Sequence, residues 1–311
     1  MPPKKNAPAK NAPALKHAQA LEQAPPPLRR AFGIAALVVG AFAMGASVLF
    51  VRLADVGPFA SAFWRTALAL PVLFAWALAA DGRRALTADR ASLLAGVFFA
   101  GDLIFWHLAI LGTSVANAAV LATTAPVWVT LFAWLVLRAA IARATLAGLV
   151  LCLAGAAALV GHSFRLEPAH LMGDAAGLVT ALFFAAYFLA VERARRTRGA
   201  GAVTLVSTAA TTLILFIVAL AAEPTLIPAS ASGAAALLGL ALVSQVGGQG
   251  LMAVGLSVVP PVYAALVFFL EVVSAAALGW LVLGEALGVL QGAGMGLVLL
   301  GLWVARPRRR G

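Results

Sequence analysis

The chain has 311 residues, 63% of them hydrophobic and only 11% charged, with a mean hydropathy of +1.01. So few polar side chains cannot cover the outside of a water-soluble globule. Soluble enzymes, secreted disulfide scaffolds and disordered chains are excluded, which leaves an integral membrane protein. The net charge of +11 would suggest nucleic acid in a soluble protein; in a membrane protein the placement of the charges matters more than their sum. Residues 1–30 hold seven of the 16 prolines and six basic residues, Lys4, Lys5, Lys10, Lys16, Arg29 and Arg30; they read as a disordered cytoplasmic tail. The first apolar run, from about Phe32, is too long for a signal-peptide core and is expected to be a spanning anchor. Ten runs of bilayer-crossing length follow, about 32–52, 59–80, 92–111, 116–137, 144–161, 173–192, 202–222, 234–256, 261–283 and 288–305, with a short basic tail at 306–311. They predict an all-α membrane protein of ten helices. Their Ala/Gly richness suits close helix packing in lipid.

The Lys/Arg census orients the chain. With the N-terminus inside, nineteen of the 22 basic residues fall on the cytoplasmic side. Arg52 and Arg165 fall outside and Arg65 within a span. An even number of spans puts both termini in the cytoplasm of an inner-membrane protein. The sequence also repeats. A shift of 146 residues lays Ala133–Leu137 on Gly279–Leu283, Trp134 on Trp280, Gly148 on Gly294 and Gly155 on Gly301. Five spans per copy, an odd number, predict that residues 173–305 enter the membrane opposite to 32–161, an inverted repeat with a site near mid-membrane.

Several short motifs stand in order across the two halves: Gly45–Arg52 (GASVLFVR), Phe63–Arg65 (FWR), Asp102–Ile110 (DLIFWHLAI), Thr113–Ala118 (TSVANA), Ala125–Val127 (APV), Pro260–Leu266 (PPVYAAL), Glu271 and Trp280–Glu285 (WLVLGE). In this the chain resembles the drug/metabolite transporter superfamily, in its EamA-type ten-helix branch. Met44 stands where that family often has Trp, and Arg138-Ala139 where it often has Gly-Glu. The resemblance implies a carrier of small polar metabolites, usually an exporter, with the first, third, fourth, sixth, eighth and ninth helices facing a central cavity.

Charges at membrane depth are costly and mark candidate sites. Asp102 and Glu271 each lie about ten residues from a helix end, and Arg65 is shallow enough in depth to pair with Asp102. That pair either lines a site or locks two helices together. A midplane carboxylate can hold a substrate ammonium or carry a proton, so Glu271, Asp102 and nearby His107 are the candidates for proton coupling. The other reading of each is a side chain hydrogen-bonded to a neighbouring helix. Trp106 shares a helix face with Asp102, and Gln245 shares one with Gln249. The glutamines either bind substrate or bond across helices. Met44 and Ser47, then Asn117, Thr124 and Trp128, then Thr180, Phe184 and Tyr187, and finally Tyr263 and Phe268 complete the candidate binding surface.

No phosphate-binding GxxxxGK[ST], HExxH or GxSxG is present. Cys152 is alone and has no metal-ligand spacing, so it is expected to be a packing residue. No enzyme, cofactor, metal or nucleic-acid partner is expected. The partners are a small molecule and the bilayer, for a monomer or homodimer. Aromatics beside Glu271 and the glutamines favour amino acids with apolar or aromatic side chains. A multidrug or quaternary-cation carrier and a non-transporting membrane scaffold or enzyme are the alternatives.

Overall fold

The computed structural model describes residues 26–136, 138–160, 168–284 and 287–306. Apart from residues 26–30 and Arg306, the expected tails lie outside the described residues. Ten apolar rods account for the rest of the described chain: α1 Leu28–Leu53, α2 Pro58–Leu86, α3 Arg90–Gly112, α4 Asn117–Leu135, α5 Arg143–Leu159, α6 Pro168–Arg195, α7 Ala200–Ala222, α8 Ala231–Gly255, α9 Pro261–Val282 and α10 Val289–Ala305. Eight are long and apolar enough to cross a membrane, and α5 and α10 are shorter. Helices α2 and α6 run beyond the apolar cores expected at 59–80 and 173–192, because helical hydrogen bonding continues into their polar ends.

Local chemistry sets the starts. Pro58 and Pro261 occupy first-turn positions, where a missing N–H costs nothing. Asp89 caps α3 by accepting from the Ser92 amide, and Ser230 caps α8 by accepting from the Gly233 amide. Interior breaks are equally local. Helix α2 kinks before Pro71 and α4 before Pro126. Helix α9 breaks at Phe268-Phe269, one residue from the repeat equivalent of the α4 break. Residues Leu240–Gln249 of α8 are wound as a π-helix.

The two halves are related by exchange. Helix α1 packs on α8 as α6 packs on α3, and α9 on α1 as α4 on α6. Three equivalent pairs pack on each other: α2 with α7, α4 with α9 and α5 with α10. At the last seam, a Cβ placed on Gly148 would meet the Gly301 carbonyl at 2.5 Å, and one on Gly155 the Gly294 carbonyl at 2.6 Å. Rising residue numbers on α5 therefore meet falling numbers on α10, so equivalent helices run antiparallel. That is the inverted arrangement. Cys152 is fully buried in this seam, with its thiol 3.6 Å from the Val298 carbonyl. By contrast, a Cβ on Gly292 or Gly296 would meet nothing within 4 Å among the described residues.

Helices α2 and α7 cap each other. Glu223, at the end of α7, accepts from the Phe59 and Ala60 amides at 2.6 and 3.1 Å. Asp81, at the end of α2, accepts from the Ala202 amide at 3.1 Å. Each carboxylate sits at the positive end of the other helix. One end of the bundle gathers Arg84, Arg195 and Arg198; Asp55, Asp174 and Glu223 lie at the other. At the arginine-rich end, Arg198 donates to Asp89 at 3.0 Å and to the Arg84 carbonyl at 2.9 Å. Arg138 follows α4 with φ 49°, in the left-handed region that costs an L residue about 1–2 kcal/mol. Its repeat equivalent is Gly284, with φ 69°.

Candidate functional site

The buried polar side chains converge where α1, α2, α3, α6, α7, α8 and α9 meet. Helix α1 is strapped from both sides near its middle. Ser244 of α8 donates to the Ala43 carbonyl and Ser274 of α9 to the Phe42 carbonyl, both at 3.0 Å. Gly45 lets the α9 backbone approach: a Cβ there would lie 2.5 Å from the Glu271 carbonyl. Glu271 lies about 15 Å along α9, near the helix midpoint.

Arg65 is the centre of the cluster. Its side chain is only 7% exposed. Its Nε donates to Gln245 Oε1 at 3.2 Å, Nη2 contacts Met44 Sδ at 3.3 Å, and the guanidinium lies 5.5 Å from the Phe99 ring centroid. The direct pair with Asp102 expected from sequence is not formed. Gln245 and Met44 lie within closer reach, so the guanidinium engages them and stands in Coulombic range of both Glu271 and Asp102. Among the described residues the guanidinium forms an ion pair with neither carboxylate.

Both glutamines are buried within the π-helical segment of α8. Gln245 also donates to the Thr208 hydroxyl of α7 at 3.0 Å. Gln249 accepts from the Tyr187 hydroxyl at 2.8 Å, and its Nε2 is buried without an acceptor. A second buried donor without an acceptor is the indole N–H of Trp128. Such orphans are rare in native interiors and call for an explanation. An aromatic floor adjoins them: Phe99 stacks on Tyr187 at 4.8 Å, and Phe268 meets Phe188 edge-on at 5.5 Å and Phe184 at 6.2 Å. Glu271 keeps part of its surface open, whereas Asp102 is buried at 8%.

Other candidates sit apart from this cluster. Asn117 is fully buried and donates to Asp174 Oδ1 at 3.0 Å, joined there by Thr113 at 2.8 Å, so its amide ties α4 to α6. His107 bonds the Leu103 carbonyl at 2.7 Å and tilts against Phe59. Trp106 packs with Ala109, Ala118 and Ala176. Thr124 bonds back to the Leu121 carbonyl at 2.6 Å, Thr180 contacts the Asp102 carbonyl at 3.5 Å, Ser47 is half-buried, and Tyr263 is buried in the other half of α9. The expected list lacked Thr208 and Phe99, and took Arg65 as the partner of Asp102, in a pair that either lines a site or locks two helices. Arg65 was visible as a charge within a span. Thr208 and Phe99 carried no signal, because a threonine or phenylalanine in an apolar run reads as packing.

Helices α4 and α9 pack through Ala125–Leu135 and Pro261–Val267. Their other halves turn away, Val115–Ala122 onto α6 and Leu270–Leu283 onto α1. The profile of the EamA-like transporter family matches residues 31–161 and 171–306, one copy on each half. The chain belongs to the EamA-like transporter family. This membrane transporter is similar in fold to a solved protein titled only "Crystal structure of protein", with TM-score 0.79 over 88% of this chain and 96% of that one, at 19% identity. Among curated proteins nothing matches. The two profile matches fall on the two halves that the α5–α10 seam shows to be antiparallel.

Proposed function

We propose that this EamA-like transporter exports small zwitterions, amino acids with apolar or aromatic side chains, across the inner membrane by alternating access. One observation carries the reading: two buried donors are left without acceptors, and two acids at membrane depth form no ion pair among the described residues. On the donor side are Gln249 Nε2 and the Trp128 indole, with the Arg65 guanidinium in Coulombic range of two acids it does not clamp. On the acceptor side are the carboxylates of Glu271 and Asp102. A carboxylate and an ammonium on one small molecule supply what each side lacks. The rings of Phe99, Tyr187, Phe184 and Phe268 suit an apolar side chain. A quaternary cation would satisfy the acids alone and meet the charge of Arg65, which disfavours that rival.

Orientation follows from the arginines: the end carrying Arg84, Arg195 and Arg198 is taken as cytoplasmic. The packing of α4 on α9 then closes the inner side, and the divergence of their other halves opens the outer side. The repeat supplies the opposite state. A shift of 146 residues maps Ala125–Leu135 onto the outer half of α9 and Pro261–Val267 onto the outer half of α4. Exchanging the conformations of the two copies therefore closes the outer side and opens the inner. Val120 and Ala275, the equivalents of Leu266 and Val129, are expected to come together in that state. A Cys152→Ala protein carrying Val120→Cys and Ala275→Cys should cross-link during turnover when a thiol oxidant is added, and stop transporting.

The deciding experiment is counterflow of labelled phenylalanine in proteoliposomes, with amino acids, sugars and quaternary cations as competitors. Apolar and aromatic amino acids should compete. Competition by cations and by no amino acid would overturn the substrate class, and absence of any flux would favour a scaffold. An imposed pH gradient that changes the flux identifies proton coupling, for which Glu271, Asp102 and His107 are the candidates.

A further inference from the structure

We propose that Arg138 anchors a phospholipid with an anionic headgroup, whose acyl chain lies in a groove between α4 and α5, away from the transport site. Three observations converge. The first is a groove of about 710 Å³, within the range of small-molecule sites, lined by Val127, Leu131, Trp134, Ile141, Leu146 and Leu149, with Arg138 among its walls. The lining is mostly apolar, and Trp134 and Leu146 are 58% and 45% exposed on the outside of the bundle. The groove therefore faces hydrocarbon rather than the central cluster.

The second is the cation itself. Arg138 is exposed one turn beyond Trp134, at the arginine-rich end of α4. The 138–143 connection carries Arg138 and Arg143 and no acid. Among the described residues no carboxylate pairs with Arg138. A tryptophan and an arginine one turn apart match the depths of the acyl–headgroup boundary and the phosphate layer.

The third is backbone conformation. The two copies end their fourth and ninth spans with the same Trp-Leu-Val-Leu, at Trp134–Leu137 and Trp280–Leu283. The next residue is left-handed in both copies. The second copy uses Gly284, which adopts that conformation without strain. The first copy holds an arginine there, at a steric cost. Strain retained at one of two equivalent positions points to a side chain that is used. The charge fits one occupant: a phosphodiester on the guanidinium with its chain in the apolar slot.

The test is thermal unfolding of the full-length protein in neutral detergent, with added phosphatidylglycerol, phosphatidylcholine or inorganic phosphate. Phosphatidylglycerol should raise the melting temperature by a few degrees above phosphatidylcholine, and inorganic phosphate should not. Arg138→Gly should melt higher than wild type in detergent alone, because the strain is gone, and should lose the phosphatidylglycerol increment. Arg138→Lys should keep part of it, and Arg83→Gln, a control at the same end, should keep all of it. The proposal fails if wild type gains no more from phosphatidylglycerol than from phosphatidylcholine. It fails also if Arg138→Gly keeps the increment, if Arg83→Gln loses it equally, or if inorganic phosphate reproduces it.

Discussion

The α5–α10 seam and the central cluster are built from the same repeat by opposite rules. In the seam the close glycine contacts are mirrored: Gly148 on Gly301 answers Gly155 on Gly294. In the cluster the charges are not. Asp102 aligns with Gly248, Glu271 with Ala125 and Arg65 with Thr211. Duplicated positions hold the halves together, and the positions where the copies diverged carry charge to mid-membrane. Symmetry marks the seam in this protein, and the candidate site lies where the copies differ.

Changing the cluster should therefore damage transport before stability. Arg65→Gln removes a charge-assisted bond to Gln245 and the counter-charge for a substrate carboxylate. At about 1.5–3 kcal/mol for a charged hydrogen bond, amino-acid counterflow should fall by about 10- to 100-fold. Competition by quaternary cations should rise, because the repelling charge is gone. Equal loss of both substrate types with an unchanged melting temperature would count against Arg65 as the carboxylate partner. Gln249→Leu, which deletes the orphan Nε2 and the bond to Tyr187, should cost about 5- to 10-fold in the same assay.

The seam should respond the other way. Gly294→Val places a side chain where even a Cβ meets the Gly155 carbonyl at 2.7 Å. Overpacking of this kind costs about 1–3 kcal/mol, read as a lower melting temperature in detergent. Gly292→Ala and Gly296→Ala, two residues away in the same helix, meet nothing within 4 Å and should raise stability slightly, by about 0.5–1 kcal/mol each, through helix propensity. If they destabilised the protein instead, that face would be an interface between copies.

The contrast also explains what could be read from sequence. Ten apolar rods, two halves and their opposite directions were legible because they rest on hydropathy, Arg placement and the paired Trp and Gly positions. Gln245, Gln249, Glu271 and Tyr187 were legible as polar or amphipathic groups in apolar runs. The partner of Arg65 was not. Depth alone offered Asp102, whereas the kink of α2 and the π-helical winding of α8 bring the guanidinium to Gln245, and neither has a periodicity signal. Asn117 looked equally available, but Asp174, 57 residues away, was invisible as its acceptor.

The smallest effect belongs to the arginine-rich end, where the copies meet without mirror symmetry. Asp89 caps α3 through Ser92 and holds Arg198. Partial burial disfavours its charged form, but the Ser92 hydroxyl and amide together with Arg198 outweigh that and hold the carboxyl below its usual 3.8. A group whose value is depressed by folding stabilises above its ordinary pKa and loses that contribution as pH falls through the folded value. The effect of Asp89→Asn should therefore be constant from neutral pH down to about pH 4 and shrink below it. Its size should be about 0.5–1 kcal/mol, since the pair is partly exposed and the cap can be half replaced by the amide. If α4 on α9 and Arg198 on Asp89 close the same side, the variant should also shift the Val120–Ala275 cross-link toward higher yield. A change in stability without a change in cross-linking would separate the loop contact from the gate.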